Sequence, residues 1–297
     1  MEISALQAFI CVARHESFSK ASEQMHLTQP AVSKRVATLE QQLGTLLFNR
    51  INRQISLTEA GQQLLPKAQE LVIQAEDMQR FASNLHEDIS GTLSIAISHH
   101  IGLHRMPPML SAFNRRHPDV KLDIRFEDSE QALSLVERGD IEFAVITLPS
   151  ELPANLNGEV AWCDKLQIVF GAGHGLQSRQ SVSLAELADY PCVLPTAETE
   201  THKIMQREFA RAGLSMKVQM STNNLQSLKM LAVAGIGWSL LPETMLDDQL
   251  RVLDLQRKLT RDLGLVAHRR RSLSNAAQAM RQLIKAAPQP PNSAIQN

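Results

Sequence analysis

Two groups of residues have the types and spacing to do chemistry. In the first, between positions 28 and 58, Lys34, Arg35, Arg50 and Arg53 stand against Glu40 alone, within a chain whose formal net charge is -1. Guanidinium and ammonium groups bind phosphate. The neighbouring Gln29, Pro30, Ser33 and Thr38 offer a compact face with short hydrogen-bonding ends, suited to base edges in a groove about 12 Å wide. The second group is Ser98, His99, His100, Ser129, Thr147, Thr199 and Thr201. Hydroxyls and imidazoles of this kind suit an anion or a small polar molecule. His100 and His104 could share one helix face, but they lack the Glu of an H-E-x-x-H motif and any nearby Cys, so no metal is expected. No paired carboxylates or activated nucleophile can be assembled around Ser98, His99 and Thr147. The expectation is therefore a binding site without catalysis or cofactor.

Composition sets outer limits on these readings. The chain has 297 residues, 43% hydrophobic and 21% charged, enough for two or three ordinary globular domains. The first residues show no basic start followed by an apolar run, and no stretch of about 18 apolar residues occurs, so a cytoplasmic protein without membrane contact is expected. Cys11, Cys163 and Cys192 are scattered without C-x-x-C spacing, which suits neither a disulfide framework nor zinc. They read as buried thiols, with Cys163 and Cys192 in apolar, strand-like surroundings.

The elements that would position the first group follow from periodicity. Ile3, Leu6, Phe9, Ile10 and Ala13 share one face of a helix. Ser19 is a candidate cap for a short helix over residues 20–25, and Thr28 for a third helix with Pro30 in its first turn. In that third helix Val32, Val36, Leu39 and Leu43 fall on one side, while Pro30, Lys34, Ala37, Thr38 and Gln41 fall on the other. Gly44 ends it. Strands over 46–50 and 54–57 bracket a tip at residues 51–53, placing Arg50 and Arg53 in a wing.

Residues 21–50, ASEQMHLTQPAVSKRVATLEQQLGTLLFNR, followed by LTEAG at 57–61, resemble the winged helix-turn-helix of the LysR-type transcriptional regulators. The resemblance implies that the helix starting at the TQP turn enters the major groove of promoter DNA. Gln29, Pro30, Ser33, Lys34 and Thr38 would lie at the double strand, with Arg50 and Arg53 in the wing. A bacterial, nucleoid-associated protein is implied.

From 57 to 85 a heptad is legible, with Leu57, Leu64, Leu71, Met78 and Leu85 in one position and Gly61, Ala68, Ala75 and Ala82 four residues later. Such a narrow stripe on a long helix wants a partner helix, and Pro66 is a local misfit. The resemblance agrees, implying a homodimer or homotetramer formed through this linker helix.

Beyond Gly91, strands alternate with helices. Strands are predicted over 92–98, 120–126 and 141–147, with helices ending near 117 and 138; a second set comprises strands at 166–172, 191–194, 218–221 and 238–241 with helices at 201–212 and 223–234. This βαβ pattern predicts parallel sheets in two α/β lobes, completed by a strand near 263–268 and a helix over 273–286. GTLSI at 91–95, RGDIEFAV at 138–145 and VAGIG at 233–237 resemble the effector domain of the same family, which is two-lobed and periplasmic-binding-protein-like. The predicted organisation is a winged helix-turn-helix over 1–58, a linker helix over 59–89 and a regulatory domain over 90–297, with lobe I at about 90–160 and 267–287 and lobe II at about 161–266. The second residue group falls at carboxyl ends of strands and at helix starts, where open α/β sheets hold ligands. Together these readings predict a DNA-binding regulator controlled by a small, anionic or polar effector. The alternatives are a redox switch through Cys163 or Cys192, and a non-catalytic small-molecule-binding protein.

Overall fold

A computed structural model describes residues 1–51, 54–85, 88–177, 179 and 181–288. The chain separates into two compact units, Met1–His86 and Glu87–Asn297. In the first, α1 (Ile3–His15) buries Leu6, Phe9 and Val12 against α3 (Gln29–Leu43), which contributes Val32, Val36 and Leu39. Between them α2 (Phe18–Gln24) begins earlier than expected. Its cap is Ser17, whose Oγ accepts from the Lys20 N–H, while the carbonyl of Ser19 accepts from the Ser22 hydroxyl. The reason is Phe18, a buried core residue that the helix must include. Thr28 occupies the cap of α3, but its side chain makes no capping hydrogen bond.

Gly44 ends α3 in the left-handed conformation, φ 68°, as glycine allows. Leu43, expected inward, is 39% exposed because the core beyond Leu39 is filled by Leu47 and Phe48 after the turn. Phe48 takes an edge-on position against Phe9 and Phe18, with ring centroids 5.5 and 5.7 Å away. Strands β1 (Phe48–Ile51) and β2 (Gln54–Leu57) pair antiparallel to form the wing, with Phe48 opposite Leu57.

The long helix α4 (Glu59–Asn84) runs continuously through Pro66. Its heptad has two uses rather than the one expected. Gly61 lies against the Leu47 carbonyl, leaving no room for a Cβ, and Ala68 and Val72 join the core of the first unit. The small residues at this end therefore admit the chain's own backbone and side chains. Further along, Met78, Phe81 and Leu85 are 70%, 60% and 72% exposed, and Leu71 is at the margin.

In the second unit, β3 (Gly91–Ile97) is followed by α5 (His99–His104), α6 (Pro107–Arg116), β4 (Val120–Phe126), α7 (Ser129–Arg138) and β5 (Phe143–Thr147). Where one helix was expected after β3, Pro107 and Pro108 start a second one. The middle of the chain contains β6 (Leu156–Gly171), α8 (Leu184–Ala188), β7 (Pro191–Leu194), α9 (Glu200–Arg211), β8 (Lys217–Ser221), α10 (Leu225–Val233) and β9 (Ser239–Pro242). A 3-10 turn at Glu243–Met245, β10 (Leu250–Leu253), β11 (Leu259–His268) and α11 (Asn275–Ala286) complete it.

Parallel pairing holds for β4-β3-β5 and for β7-β8. The sheets are otherwise mixed, which corrects the expectation of purely parallel sheets. β11 pairs antiparallel with both β5 and β6, and the distal half of β6 pairs antiparallel with β9 and β10. The long strands β6 and β11 thus cross together from one lobe to the other. One set of cores, around Ile95, Phe113, Phe143 and Met280 and around Ala144 and Val136, fills the first lobe. Another, around Phe170, Phe209, Trp238 and Leu240 and around Val193 and Leu228, fills the second.

Candidate functional site

The amphipathic split of α3 decides what the first unit presents. Gln29, Pro30, Lys34 and Thr38 are exposed and Ser33 is half-buried; Pro30, Lys34 and Thr38 lie on the face opposite Val32, Val36 and Leu39, with Gln29 and Ser33 on its flank. Glu40, the one acid set against the basic residues in the sequence, is turned inward. Its Oε1 accepts the Leu47 and Phe48 N–H groups at 2.8 and 3.3 Å, tying the end of α3 to the first strand of the wing. The carboxylate thus satisfies two backbone donors and leaves the outer face of α3 without an acid. Arg50 lies on β1, paired with Ile55. Its side chain, like Arg53 as a whole, lies outside the described residues.

In the second unit a cavity of about 500 Å³ opens between the lobes and is lined by all seven residues of the second group. Ser98, His99 and His100 follow the carboxyl end of β3, Thr147 ends β5, and Ser129 begins α7. Across the cleft, Thr199 caps α9, its Oγ1 accepting from the His202 N–H, and Thr201 lies in the first turn of that helix. Several of these groups are already engaged. The Thr147 N–H donates to Ser129 Oγ at 3.3 Å, and the Thr201 hydroxyl accepts from Arg261 Nη1 at 2.9 Å.

At the floor of the cavity a charged cluster brings together residues far apart in sequence. Asp164 on β6 and Arg261 on β11 are direct cross-strand partners. Arg261 donates from Nη2 to Asp164 Oδ2 at 3.1 Å, with Nε at 3.4 Å, while Arg105 Nη2 donates to Oδ1 at 2.5 Å. His100 Nε2 stands 3.6 Å from Asp164 Oδ2 and 3.3 Å from Thr244 Oγ1. The side chains of Arg105, Asp164 and Arg261 are 6%, 1% and 5% exposed. Burial pushes the Asp164 carboxyl up, but the bond to His100 and the charges of Arg261 and Arg105 outweigh it and hold the group well below the usual carboxylate range. Burial lowers the His100 imidazole from its ordinary value despite Asp164. Burial thus favours the neutral imidazole at His100, whereas the residue types alone suggested an imidazole that could meet an anion.

Besides Arg105–Asp164, further hydrogen bonds among the described residues join the lobes beside the cavity. Asn223 Nδ2 donates to Asp128 Oδ2 at 2.8 Å, the Ser150 N–H donates to Glu200 Oε2 at 3.1 Å, and Thr244 meets His100 as above. Asn223 Oδ1 also accepts from the Thr196 N–H and hydroxyl, both at 3.0 Å.

The thiols differ in surroundings. Cys192 is fully buried, and burial pushes it up to about 12. Cys163, expected in apolar surroundings, is exposed because it has the outward phase of β6; partial burial and the Asp262 carboxylate push its thiol upward. Burial also raises Cys11. High thiol pKa values leave little nucleophilic thiolate, which weighs against the redox alternative.

Comparison with known proteins supports the division of labour between the two units. Residues 3–62 match the bacterial regulatory helix-turn-helix protein model of the lysR family, and residues 86–289 match the LysR substrate binding domain. The chain belongs to the LysR family of transcriptional regulators. It is 27% identical to the RuBisCO operon transcriptional regulator of Allochromatium vinosum over 96% of this chain and 95% of that protein. Two solved structures share its fold. One, a full-length OxyR variant from Pseudomonas aeruginosa, has a TM-score of 0.69 and 20% identity, covering 97% of this chain and 99% of that one. The other is full-length CbnR complexed with its target DNA, with a TM-score of 0.61 and 18% identity over 96% and 99% of the two chains.

The family thus agrees with the fold and with a DNA-binding regulator carrying an effector-binding domain. What residue-by-residue reading of this LysR regulator missed is the Arg105–Asp164–Arg261 cluster. A signal was present in the alternations W-C-D-K-L at 162–166 and L-T-R-D-L at 259–263, each of which sets one charge in phase with inward leucines. Neither alternation shows that the two strands pair.

Proposed function

We propose that this LysR regulator reads promoter DNA with Gln29, Pro30, Ser33, Lys34 and Thr38 of α3 and with Arg50 and Arg53 of the wing. Residues 1–58 would form the DNA-binding domain, 59–89 the linker and 90–297 the regulatory domain, with lobe I at about 90–160 and 267–287 and lobe II at about 161–266. A small polar effector enters the interlobe cavity, where Ser98, His99, His100, Ser129, Thr147, Thr199 and Thr201 surround it. The observation that carries this reading is the convergence of strand ends and helix starts from both lobes on one cavity, since a ligand touching both lobes has different affinities for open and closed arrangements. Such differential affinity is what allows an effector to alter promoter output.

The molecule acts in the cytoplasm as a homodimer or homotetramer through α4 and performs no chemistry of its own. CbnR, which shares the fold, has been solved on its target DNA, in keeping with the role assigned to α3. The test is DNA binding by the full chain across a salt series. Lys34→Ala should weaken binding to all sequences and reduce the slope of log affinity against log salt by about one. Ser33→Ala should instead change sequence preference. Unchanged affinity and slope in Lys34→Ala would exclude this docking face.

A further inference from the structure

Arg261 combines deep burial with incomplete hydrogen bonding. A guanidinium has five N–H donors. Three of those on Arg261 meet Asp164 and Thr201, and two have no partner among the described residues although the side chain borders the cavity and is 5% exposed. Behind it, Arg105 Nε is buried without a partner as well. Arg105 and Arg261 share a single carboxylate, Asp164, so the cluster has at least one positive charge in excess. A buried excess charge is costly until something neutralises it.

The remaining charges on the cavity wall narrow the choice. Among the described residues no Lys or Arg other than Arg261 lines it, whereas Asp128, Glu130 and Glu200 do. Glu200 is matched by Arg207, whose Nη2 lies 2.5 Å from Oε1, and it also accepts the Ser150 N–H. Asp128 accepts from Asn223 and, with Glu130, stands at the start of α7. The wall thus offers one cation with N–H donors to spare at the Arg261 end and acids at the α7 end.

We propose that the cavity selects a small monocarboxylate, its carboxylate held by Arg261 and its hydroxyl or ammonium groups turned toward Asp128 and Glu130. This deepens the reading of the cavity as the effector site and rests on it. Dianions are disfavoured because a second anionic group would face Asp128 and Glu130 with no lysine or arginine on the wall to meet it, and neutral polyols because they leave the Arg261 charge unmatched.

The test uses the full chain, with calorimetry and thermal stability read against lactate, glycerate, serine, succinate, phosphate and glycerol at fixed ionic strength. Saturable binding is expected for one or more of lactate, glycerate and serine, and none for succinate, phosphate or glycerol. Arg261→Lys, which keeps the charge but loses the fork, should weaken that binding by about tenfold or more. Arg261→Gln, which leaves Asp164 paired with Arg105, should abolish it. Preference for a dianion or for glycerol, unchanged affinity in Arg261→Lys, or no saturable response to any monocarboxylate would overturn the proposal. The effector-site reading is separated by Ser98→Ala and Thr147→Ala. If these weaken a ligand that Arg261→Lys leaves unaffected, the cavity stands and the charge assignment falls; if a bound ligand ignores all three, the cavity assignment falls too.

Discussion

At the residue scale, the second unit depends on charges and imidazoles held away from water. The pair Asp164 and Arg261, opposite one another on β6 and β11, brings guanidinium and carboxylate together at strand positions whose neighbours are Trp162, Leu166, Leu259 and Leu263. His100 sits on this cluster with its pKa below the ordinary histidine value, burial being the main cause. A lowered folded-state pKa means that the unfolded chain takes up the proton first. The stability contributed by neutral His100 is present above pH about 6.5 and is lost as the pH falls through its lowered folded value. His174 and His268, also lowered by burial, act with the same sign. The Asp164 contribution persists over this range, since its folded pKa is shifted below the ordinary carboxylate value. The melting temperature of the second unit should therefore fall between pH 7 and pH 5, and His100→Gln should flatten part of that fall. Melting curves across this interval that superimpose for the variant and the parent would rule His100 out as a contributor.

At the element scale, α4 shows one sequence pattern serving two partners. Its first half closes the core of its own unit through Gly61, Ala68 and Val72, whereas Met78 and Phe81 in its second half, and Leu85 just beyond it, are exposed. A helix of 26 residues with exposed apolar side chains gains stability by burying them, and a second copy of α4 would supply a matching surface. Met78→Asp should split the oligomer, because a charge in the buried seam costs several kcal/mol, on the order of the figures for unpaired buried groups. It should leave the fold of each chain intact. Ala68→Asp should instead destabilise the first unit itself. Sedimentation and circular dichroism on the two variants distinguish these outcomes, and an undisturbed oligomer in Met78→Asp would move the interface off this helix.

At the scale of the regulatory unit, two lobes share one crossing pair of strands and are bridged at the cavity by Asn223, Glu200 and Thr244. Asn223 is the most connected, since it holds Thr196 on its own lobe and Asp128 on the other. Asn223→Ala removes these bonds and leaves the Thr196 N–H without its acceptor, at a cost of about 1–3 kcal/mol. Amide hydrogen exchange should accelerate around Thr196 and at the start of α7, and the lobes should sample wider separations. Protection factors equal to those of the parent at both places would show that Asn223 does not latch the lobes.

The local chemistry of this regulator was written in its sequence. Helix α3, its polar outer face, the Gly44 stop and the succession of strands and helices after Gly91 all arise from periodicity and from backbone preferences that act within a few residues. The seven polar residues of the cavity were legible for the same reason, as strand ends and helix starts are local features that a parallel arrangement collects on one side. Tertiary structure decided what depends on pairing between distant segments: that β6 and β11 run antiparallel through both lobes, that Asp164 meets Arg261 and Arg105, and that Glu40 turns inward to hold the wing. It also divided the α4 heptad into a half facing its own core and a half left exposed. Charge burial has this character because a carboxylate enters the interior only where its partner arrives from elsewhere in the chain, and the identity of that partner is set by strand register rather than by neighbouring residues.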